Sequence, residues 1–376
     1  MNILIVIDQY DGANNGTTIS ARRFAEALKR HGNTVKILST GEPGDDKYNV
    51  RELKLPPVIG KIIREEGMTF AKPNRQTLTE AIGQAEVVHF YMPFALSING
   101  LAIAEKLGIP HTTAFHVQPE NITYTIGAGK IEELNTLIYK FFRDKFYNRF
   151  THIHCPSSFI AGKLTENGYT AKLHVISNGV DADFVYRKLA KNDELDGKFV
   201  LLMIGRLSNE KRQDLLIDAV GKSKYEKNIQ LVLAGRGPNE QRYRRMGEKL
   251  THPPIIDFYN KQQLMDLLAM SDLYVHASDA EIEAISCMEA FCSGLVPVIS
   301  NSPNSATPQF ALDDRSLFDC GSSESLAGKI DYWVEHEDER KAMERKYSEY
   351  GKRYNIDHCV GQIEQMFAEA ITETRH

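Results

Sequence analysis

Two short runs of the chain bring cations or carboxylates beside glycines and apolar segments. The first is Gly205-Arg-Leu-Ser-Asn-Glu-Lys211, which follows the apolar run Phe199-Val-Leu-Leu-Met-Ile204 and leads into a helical pattern at Asp214–Ala219. Arg206 and Lys211 thus sit beside the Gly205 turn and a helix N-terminus. A diphosphate requires that combination of positive charge, N–H donors and close backbone approach. A solvated charged loop has the same composition, and the run alone leaves both readings open.

The second run is Glu281-Ile-Glu-Ala-Ile-Ser-Cys-Met-Glu289, continued by Ala290-Phe-Cys-Ser-Gly294. Leu273–His276 reads as a strand before it, and Ala284–Cys292 reads as a helix. Asp279, Glu281 and Glu283 then fall near a helix start, where outward N–H groups favour anions; ordinary first-turn capping explains acidic residues there too. Glu289 lies inside an apolar helical run, and a buried carboxylate needs a partner. The vicinal hydroxyls of a sugar fit that need, because one carboxylate accepts from both.

The elements that must hold these runs alternate along the whole chain. Ile3–Ile7, Thr34–Leu38, Val87–Tyr91 and His111–Phe115 are short, apolar on both faces and separated by helical patterns such as Ile19–Arg30. That is the signature of parallel βαβ units. The pattern restarts at Phe199–Ile204, with Gln230–Ala234, Leu273–His276 and Val296–Ser300 to follow. The 376 residues suit two α/β domains. With the charged stretch Arg187–Lys198 read as a linker, residues 1–186 form the first domain and 187–355 the second. The closing helical pattern, residues 356–376, either caps the second domain or packs back onto the first.

Composition bounds the function. Hydrophobic residues make up 42% and charged residues 25%, as in soluble globular proteins, and the net charge of −5 argues against general nucleic-acid binding. Cys155, Cys287, Cys292, Cys320 and Cys359 have no zinc-type or CxxC spacing and read as reduced thiols of a cytoplasmic protein. The N-terminal Met1–Asp8 reads as a buried first strand, since it lacks a basic leader and a small-residue cleavage site. No apolar run is long enough to span a bilayer.

Taken together, the motifs resemble glycosyltransferase family 4. The resemblance rests on Gly205-Arg206…Glu210-Lys211, on Glu281…Glu289 and on Gly294-Leu-Val-Pro297-Val298. Asn15-Gly16, Pro156-Ser157-Ser158, Asn178-Gly179-Val180-Asp181 and Gly235-Arg-Gly237 support it, in the family's order over nearly the whole chain. It implies the GT-B architecture, two Rossmann-like domains facing across a cleft, with the donor mostly on the C-terminal one. By position, Arg206 and Lys211 would hold a diphosphate, Glu289 the ribose hydroxyls, and Glu281 would lie near the donor sugar. Backbone N–H groups around Ile282, Glu283, Ala284 and Ile285 would assist, and Gly16 would let the first loop approach the phosphates. His116, after His111-Thr-Thr-Ala-Phe115, matches the family's histidine near the sugar; a structural loop histidine is its other reading. Three positions depart from the pattern. Ile282 stands where glycine is common, Glu283 where an aromatic or small residue is expected, and Arg212 where a glycine often follows the lysine.

The resemblance further implies retention of anomeric configuration and transfer without metal or other cofactor, with leaving-group charge opposed by Arg206 and Lys211. The expected donor is a UDP-hexose, glucose by preference. The acceptor is a hydroxyl of a membrane lipid such as diacylglycerol, or else a soluble or polysaccharide acceptor. A nucleotide-sugar epimerase and a non-catalytic nucleotide-sugar-binding module are the rival readings. The stretches His116-Val-Gln-Pro-Glu-Asn-Ile-Thr123 and Glu281-x-Glu-Ala-Ile-Ser-Cys-x-Glu289 are similar to those of bacterial diacylglycerol glucosyltransferases, which implies a cytoplasmic protein peripheral on the membrane's inner face. Two segments bear on an anionic membrane surface. Lys54–Arg64 mixes apolar and basic residues around paired prolines, as a docking loop or an ordinary surface loop would. In Leu137–Phe150 the residues Leu137, Phe141, Phe142 and Phe146 have the spacing of a core helix, and the same aromatic, basic stretch would suit an interfacial one.

Overall fold

The computed structural model of the chain describes residues 1–11, 15–57, 60, 68–125, 127–129 and 131–374. They form two compact units, Met1–Gly179 with Ile356–His376, and Val180–Asn355. The first unit contains β1 (Asn2–Val6), α1 (Gly16–Arg30), β2 (Thr34–Ser39), β3 (Lys47–Asn49), α2 (Arg75–Gly83), β4 (Val87–Phe90) and α3 (Ala95–Leu107). It continues with β5 (His111–Ala114), α4 (Pro119–Thr125), α5 (Glu132–Lys145), β6 (His152–Cys155), α6 (Ser158–Glu166) and β7 (Lys172–Val175). All seven strands are parallel, in the order β3-β2-β1-β4-β5-β6-β7. Ile3 to Ile7 are buried on both faces, as a central strand covered by helices requires. Asn15 fixes the start of α1 by accepting the Thr18 N–H at 3.1 Å, and Gly16 opens the helix.

The second unit contains β8 (Phe199–Ile204), α7 (Gln213–Lys222), β9 (Ile229–Ala234), α8 (Glu240–Gly247), β10 (Ile255–Asp257), α9 (Lys261–Met270), β11 (Leu273–His276) and β12 (Ala280–Glu281). Then come α10 (Ile285–Cys292), β13 (Pro297–Ser300), β14 (Asn304–Ser305), β15 (Leu317–Phe318), α11 (Ser323–Glu335) and α12 (Glu337–Gly351). Its main sheet runs β10-β9-β8-β11-β13-β15, all parallel, and β12 pairs with β14 apart from it. Counted from its own first strand, this is the order 3-2-1-4-5-6, repeated in the first six strands of the other unit. The order reverses between β1 and β4 in one unit and between β8 and β11 in the other. Ligands of such sheets bind beyond the carboxyl ends of the strands at that switch point.

The last helix, α13 (Ile356–Thr374), packs on the first unit, the second of the two placements open from sequence. Cys359, Val360, Ile363, Met366 and Phe367 are buried there. Arg30 pairs with Asp357 at 2.8 Å, and the Asn33 amide donates to Glu364 at 2.6 Å. Where the chain leaves the first unit, Gly179 has φ 71° and any Cβ would come within 2.9 Å of the Ile356 backbone, so only glycine fits. The units divide at Gly179–Val180, ahead of the boundary at 186/187 read from sequence. The stretch Arg187–Lys198 is bound along the second unit: Arg187 pairs with Asp266 at 2.6 Å, Lys191 with Asp272 at 2.6 Å, and Leu195 is buried. Its charges, which read as linker, are ion-pair partners for that unit.

Candidate active site

The switch point of the second unit collects both motif runs. Gly205 leaves β8 with φ 156°, and its N–H donates to Ala234 O at 3.0 Å. The turn is pressed on the next loop: a Cβ on Gly235 would lie 2.0 Å from Gly205 O, and one on Gly237 would lie 2.5 Å from Leu207 O. Both glycines therefore serve backbone packing beneath Arg206.

Each cation of this turn has a carboxylate partner. Arg206 Nη2 donates to Glu210 Oε1 at 2.9 Å, and Ser208 Oγ donates to the same oxygen at 2.5 Å. Lys211 Nζ donates to Glu281 Oε1. Arg212 reaches Asp214 and Asp279, each at 3.2 Å. Arg212 also occupies the left-handed region (φ 58°, ψ 39°), which accounts for glycine being common at this position. Glu281 is held from a second side by His276 Nε2 at 3.0 Å. Burial alone would raise its pKa, but the Lys211 ammonium and His276 outweigh it and hold the carboxyl well below the usual range. The ionised carboxylate accepts from His276 Nε2. The His276 Nδ1 lies 3.1 Å from the Tyr274 hydroxyl, which donates to Ser286 Oγ at 3.1 Å. A buried chain of polar groups thus runs from the cation to the first turn of α10. Among these groups His276 and Tyr274 had no motif to mark them; only the sheet brings β11 beside β8.

Ile282 and Glu283 link β12 to α10, and Ala284, in front of Ile285, is also left-handed (φ 68°, ψ 75°). A non-glycine residue in that region carries backbone strain, which concentrates at ligand-binding turns. Glu289 projects from α10 and is buried, as are Glu283 and Asp279. Asp181 and Asp183 lie outside the strands and share one cation, Lys261, at 2.9 and 2.8 Å.

His116 and Gly16 belong to the other unit. His116 lies two residues beyond the end of β5 and is buried, stacked on Tyr91 with ring centroids 5.0 Å apart and edge-on to His154 at 5.5 Å. Among the described residues neither of its ring nitrogens has a hydrogen-bond partner. Burial, aided by His154 and His89, pushes its pKa well below the imidazole range, so the ring is neutral. A Cβ on Gly16 would meet nothing within 4 Å. Sequence reasoning missed Asp8, buried just past β1 beside a small recess that it lines with Gln9, Asn15, Thr18 and Met92. One carboxylate oxygen accepts the Ala71 N–H at 2.9 Å and the other has no partner among the described residues. Burial raises its pKa to about 7 against the pull of that N–H.

Of the two membrane-facing expectations, most of the apolar tip of Lys54–Arg64 lies outside the described residues. In α5, Tyr139 and Phe142 are buried, whereas Leu137 is 63% and Phe141 58% exposed. The core-helix spacing therefore fails for Leu137 and Phe141. The buried side of α5 is set by Asn135, Tyr139 and Phe142, and the other two lie on the opposite side. Among the described residues no helix is long and apolar enough to cross a membrane.

Two parallel α/β units with charged groups gathered at one switch point define a GT-B sugar transferase. The family model for glycosyl transferases group 1 matches residues 186–353, and that for Glycosyltransferase Family 4 matches residues 14–184. The chain belongs to glycosyltransferase family 4. It is 23% identical to the alpha-monoglucosyldiacylglycerol synthase of Streptococcus pneumoniae over 80% of this chain and 71% of that one. It is 46% identical to the catalytic domain of cholesterol-alpha-glucosyltransferase from Helicobacter pylori over 42% of this chain and 99% of that one, with a TM-score of 0.41. The Anabaena HepE structure, solved with UDP and glucose, is 15% identical and covers 98% of this chain and 99% of that one, with a TM-score of 0.76; it shares the fold.

Proposed function

We propose that the protein transfers glucose from UDP-glucose, with retention of configuration and without a metal ion, to a hydroxyl of a membrane lipid of the diacylglycerol kind. The observation that carries the donor half is the ion-paired Lys211–Glu281–His276 chain beside Arg206 at the switch point of the second unit. A guanidinium carries five N–H donors and an ammonium three, so both side chains suit phosphate oxygens. Their charge opposes that developing on the leaving diphosphate, the task a metal performs elsewhere. Glu289 takes the ribose hydroxyls, and N–H groups of residues 282–285 assist at the phosphates and sugar.

The low pKa of Glu281 defines its part in the reaction. A carboxyl held ionised so firmly is a poor proton acceptor and no acid at neutral pH, but its fixed negative charge stabilises an oxocarbenium-like sugar. The acceptor proton then passes to the departing phosphate, on the face from which that phosphate leaves. Retention agrees with the alpha-glucosyl product in the name of the pneumococcal relative, because UDP-glucose is itself α-linked. His116, neutral and with free ring nitrogens, suits a hydroxyl-orienting role. For the lipid acceptor, the support is that relative's name and the exposed Leu137 and Phe141 beside Lys140 and Lys145 on α5, a composition that fits an anionic interface.

The test is a donor panel (UDP-glucose, UDP-galactose, GDP-mannose) against diacylglycerol, a sterol and a soluble glucoside, with mass spectrometry and anomeric analysis of the products. An α-glucolipid formed from UDP-glucose at the same rate in EDTA supports the proposal. Transfer only to the soluble glucoside, an inverted product or strict dependence on another donor overturns the corresponding part. Co-sedimentation with anionic vesicles, lost in Leu137→Ser/Phe141→Ser, tests the membrane contact.

A further inference from the structure

On the first unit, away from the motif residues, α13 crosses β6 and the edge strand β7. His152 and His174 project toward it from neighbouring strands, whose register pairs His152 with Lys172 and His154 with His174. His152 Nδ1 lies 2.9 Å from His174 Nε2. From α13, Glu369 Oε2 lies 4.0 Å from His174 Nε2, and Glu373 Oε2 lies 3.0 Å from His152 Nε2. One ligand atom from each of His152, His174 and Glu369 falls within 4.8 Å of the other two.

We propose that His152, His174 and Glu369 form a binding site for one divalent transition-metal ion of the zinc type, which fastens α13 to β6 and β7. The set is two imidazoles and one carboxylate, borderline donors that zinc and its neighbours prefer over magnesium or calcium. Glu373 occupies the position of an outer carboxylate. It takes the Nε2 proton of His152, which leaves the lone pair on Nδ1 aimed at His174. Without metal, His174 Nε2–H donates to that lone pair; on binding, the metal takes the place of this proton, and the ring shifts to its Nδ1–H tautomer and stays a neutral ligand. Ligand atoms of a tetrahedral zinc bound at 2.0–2.1 Å stand about 3.3 Å apart. The imidazole pair must therefore open by a few tenths of an ångström, and Glu369 must close by up to about 1.5 Å. Glu369 is partly exposed and paired to the exposed Lys172, which gives it the freedom to move. The fourth position is left to water.

The experiment titrates the full chain, stripped with EDTA and carrying Cys320→Ser to remove an exposed thiol, with zinc chloride by calorimetry and with cobalt(II) by visible absorption. One equivalent is expected, with the intense d–d band of tetrahedral cobalt and a rise in melting temperature on zinc addition. His174→Ala and Glu369→Ala should each weaken binding at least about tenfold, and Glu373→Gln by about 10–100-fold. Lys172→Ala should tighten binding, because it frees Glu369 and removes a competing cation; a merely structural salt bridge would not produce that gain. Circular dichroism and melting without metal identify a variant that has misfolded, and Glu369→Ala, on the surface, keeps the test valid should His174→Ala do so. No saturable binding, or binding unchanged in both His174→Ala and Glu369→Ala, overturns the proposal.

Discussion

In the first unit, the chain beyond β1, β4 and β5 carries Asp8, Tyr91 and His116, all buried. His116 is neutral, and Asp8 has its pKa raised to about 7. In the second unit, which repeats the strand order, the chain beyond β8 and β11 carries Arg206, Lys211, Arg212, Asp279 and Glu281, its cations each tied to a carboxylate. One architecture thus presents two environments at its strand ends. Low-polarity burial in the first unit disfavours any charge, whereas paired charges in the second hold cations in place ready for an anion. Sheet order sets where a ligand of each unit can bind; the residues at the strand ends decide what charge the site accepts.

The sharpest way to break this contrast is to remove a charge from the second unit. Lys211→Met should lower kcat/KM for sugar transfer by about 10²–10³ while leaving the protein folded. Because Lys211 and Glu281 act as a pair, the double variant Lys211→Met/Glu281→Gln should lose little more than the worse single one. Losses that multiply would show the two to work independently, and the pairing would not matter for turnover.

The first unit is tested by pH. The raised pKa of Asp8 means that the folded protein keeps a proton there that the unfolded chain loses above about pH 4. The stability this confers is complete below the unfolded pKa and is lost as pH rises through about 7. Between pH 5 and pH 7 the wild type should lose roughly 2 kcal/mol from this group that Asp8→Asn does not lose. Denaturant melts of both proteins at the two pH values decide it, and parallel curves would mean that water reaches Asp8. A smaller effect is expected at His116. His116→Phe keeps the stack on Tyr91 and removes two unpartnered nitrogens, so stability should hold or rise while turnover falls about tenfold, or ~1.4 kcal/mol. Undiminished turnover would make the histidine structural.

How far the sequence foretold this depends on the range of each interaction. The central strands were legible because Ile3–Ile7 and Phe199–Ile204 are apolar on both faces, which only a covered parallel sheet explains. The motif runs were legible as runs. That Lys211 meets Glu281, 70 positions later, depends on β11 lying beside β8, and no local pattern encodes that adjacency. His276 and Asp8 looked like single polar residues at the ends of apolar strands, and their environments come from partners far along the chain. In α5 the aromatic spacing fitted two opposite faces, and packing of Tyr139 and Phe142 chose one, leaving Leu137 and Phe141 outside.

Arg212 offers the finest comparison, because at that position backbone and charge pull in opposite directions. Its left-handed φ of 58° costs a side-chain-bearing residue roughly 1–2 kcal/mol, which glycine would avoid. Against that, its guanidinium lies 3.2 Å from Asp279, a buried carboxylate. Arg212→Gly should therefore be destabilising, since taking the guanidinium away from a buried carboxylate costs more than the strain relieved. With Asp279→Asn already present, the penalty for the lost charge disappears, and the same Arg212→Gly change should be neutral or stabilising by up to about 1 kcal/mol. Thermal melts of the four proteins in this cycle read the sign directly. If Arg212→Gly has the same effect in both backgrounds, Asp279 does not hold the arginine in its strained conformation, and the reason for an arginine there must be sought in what binds to it.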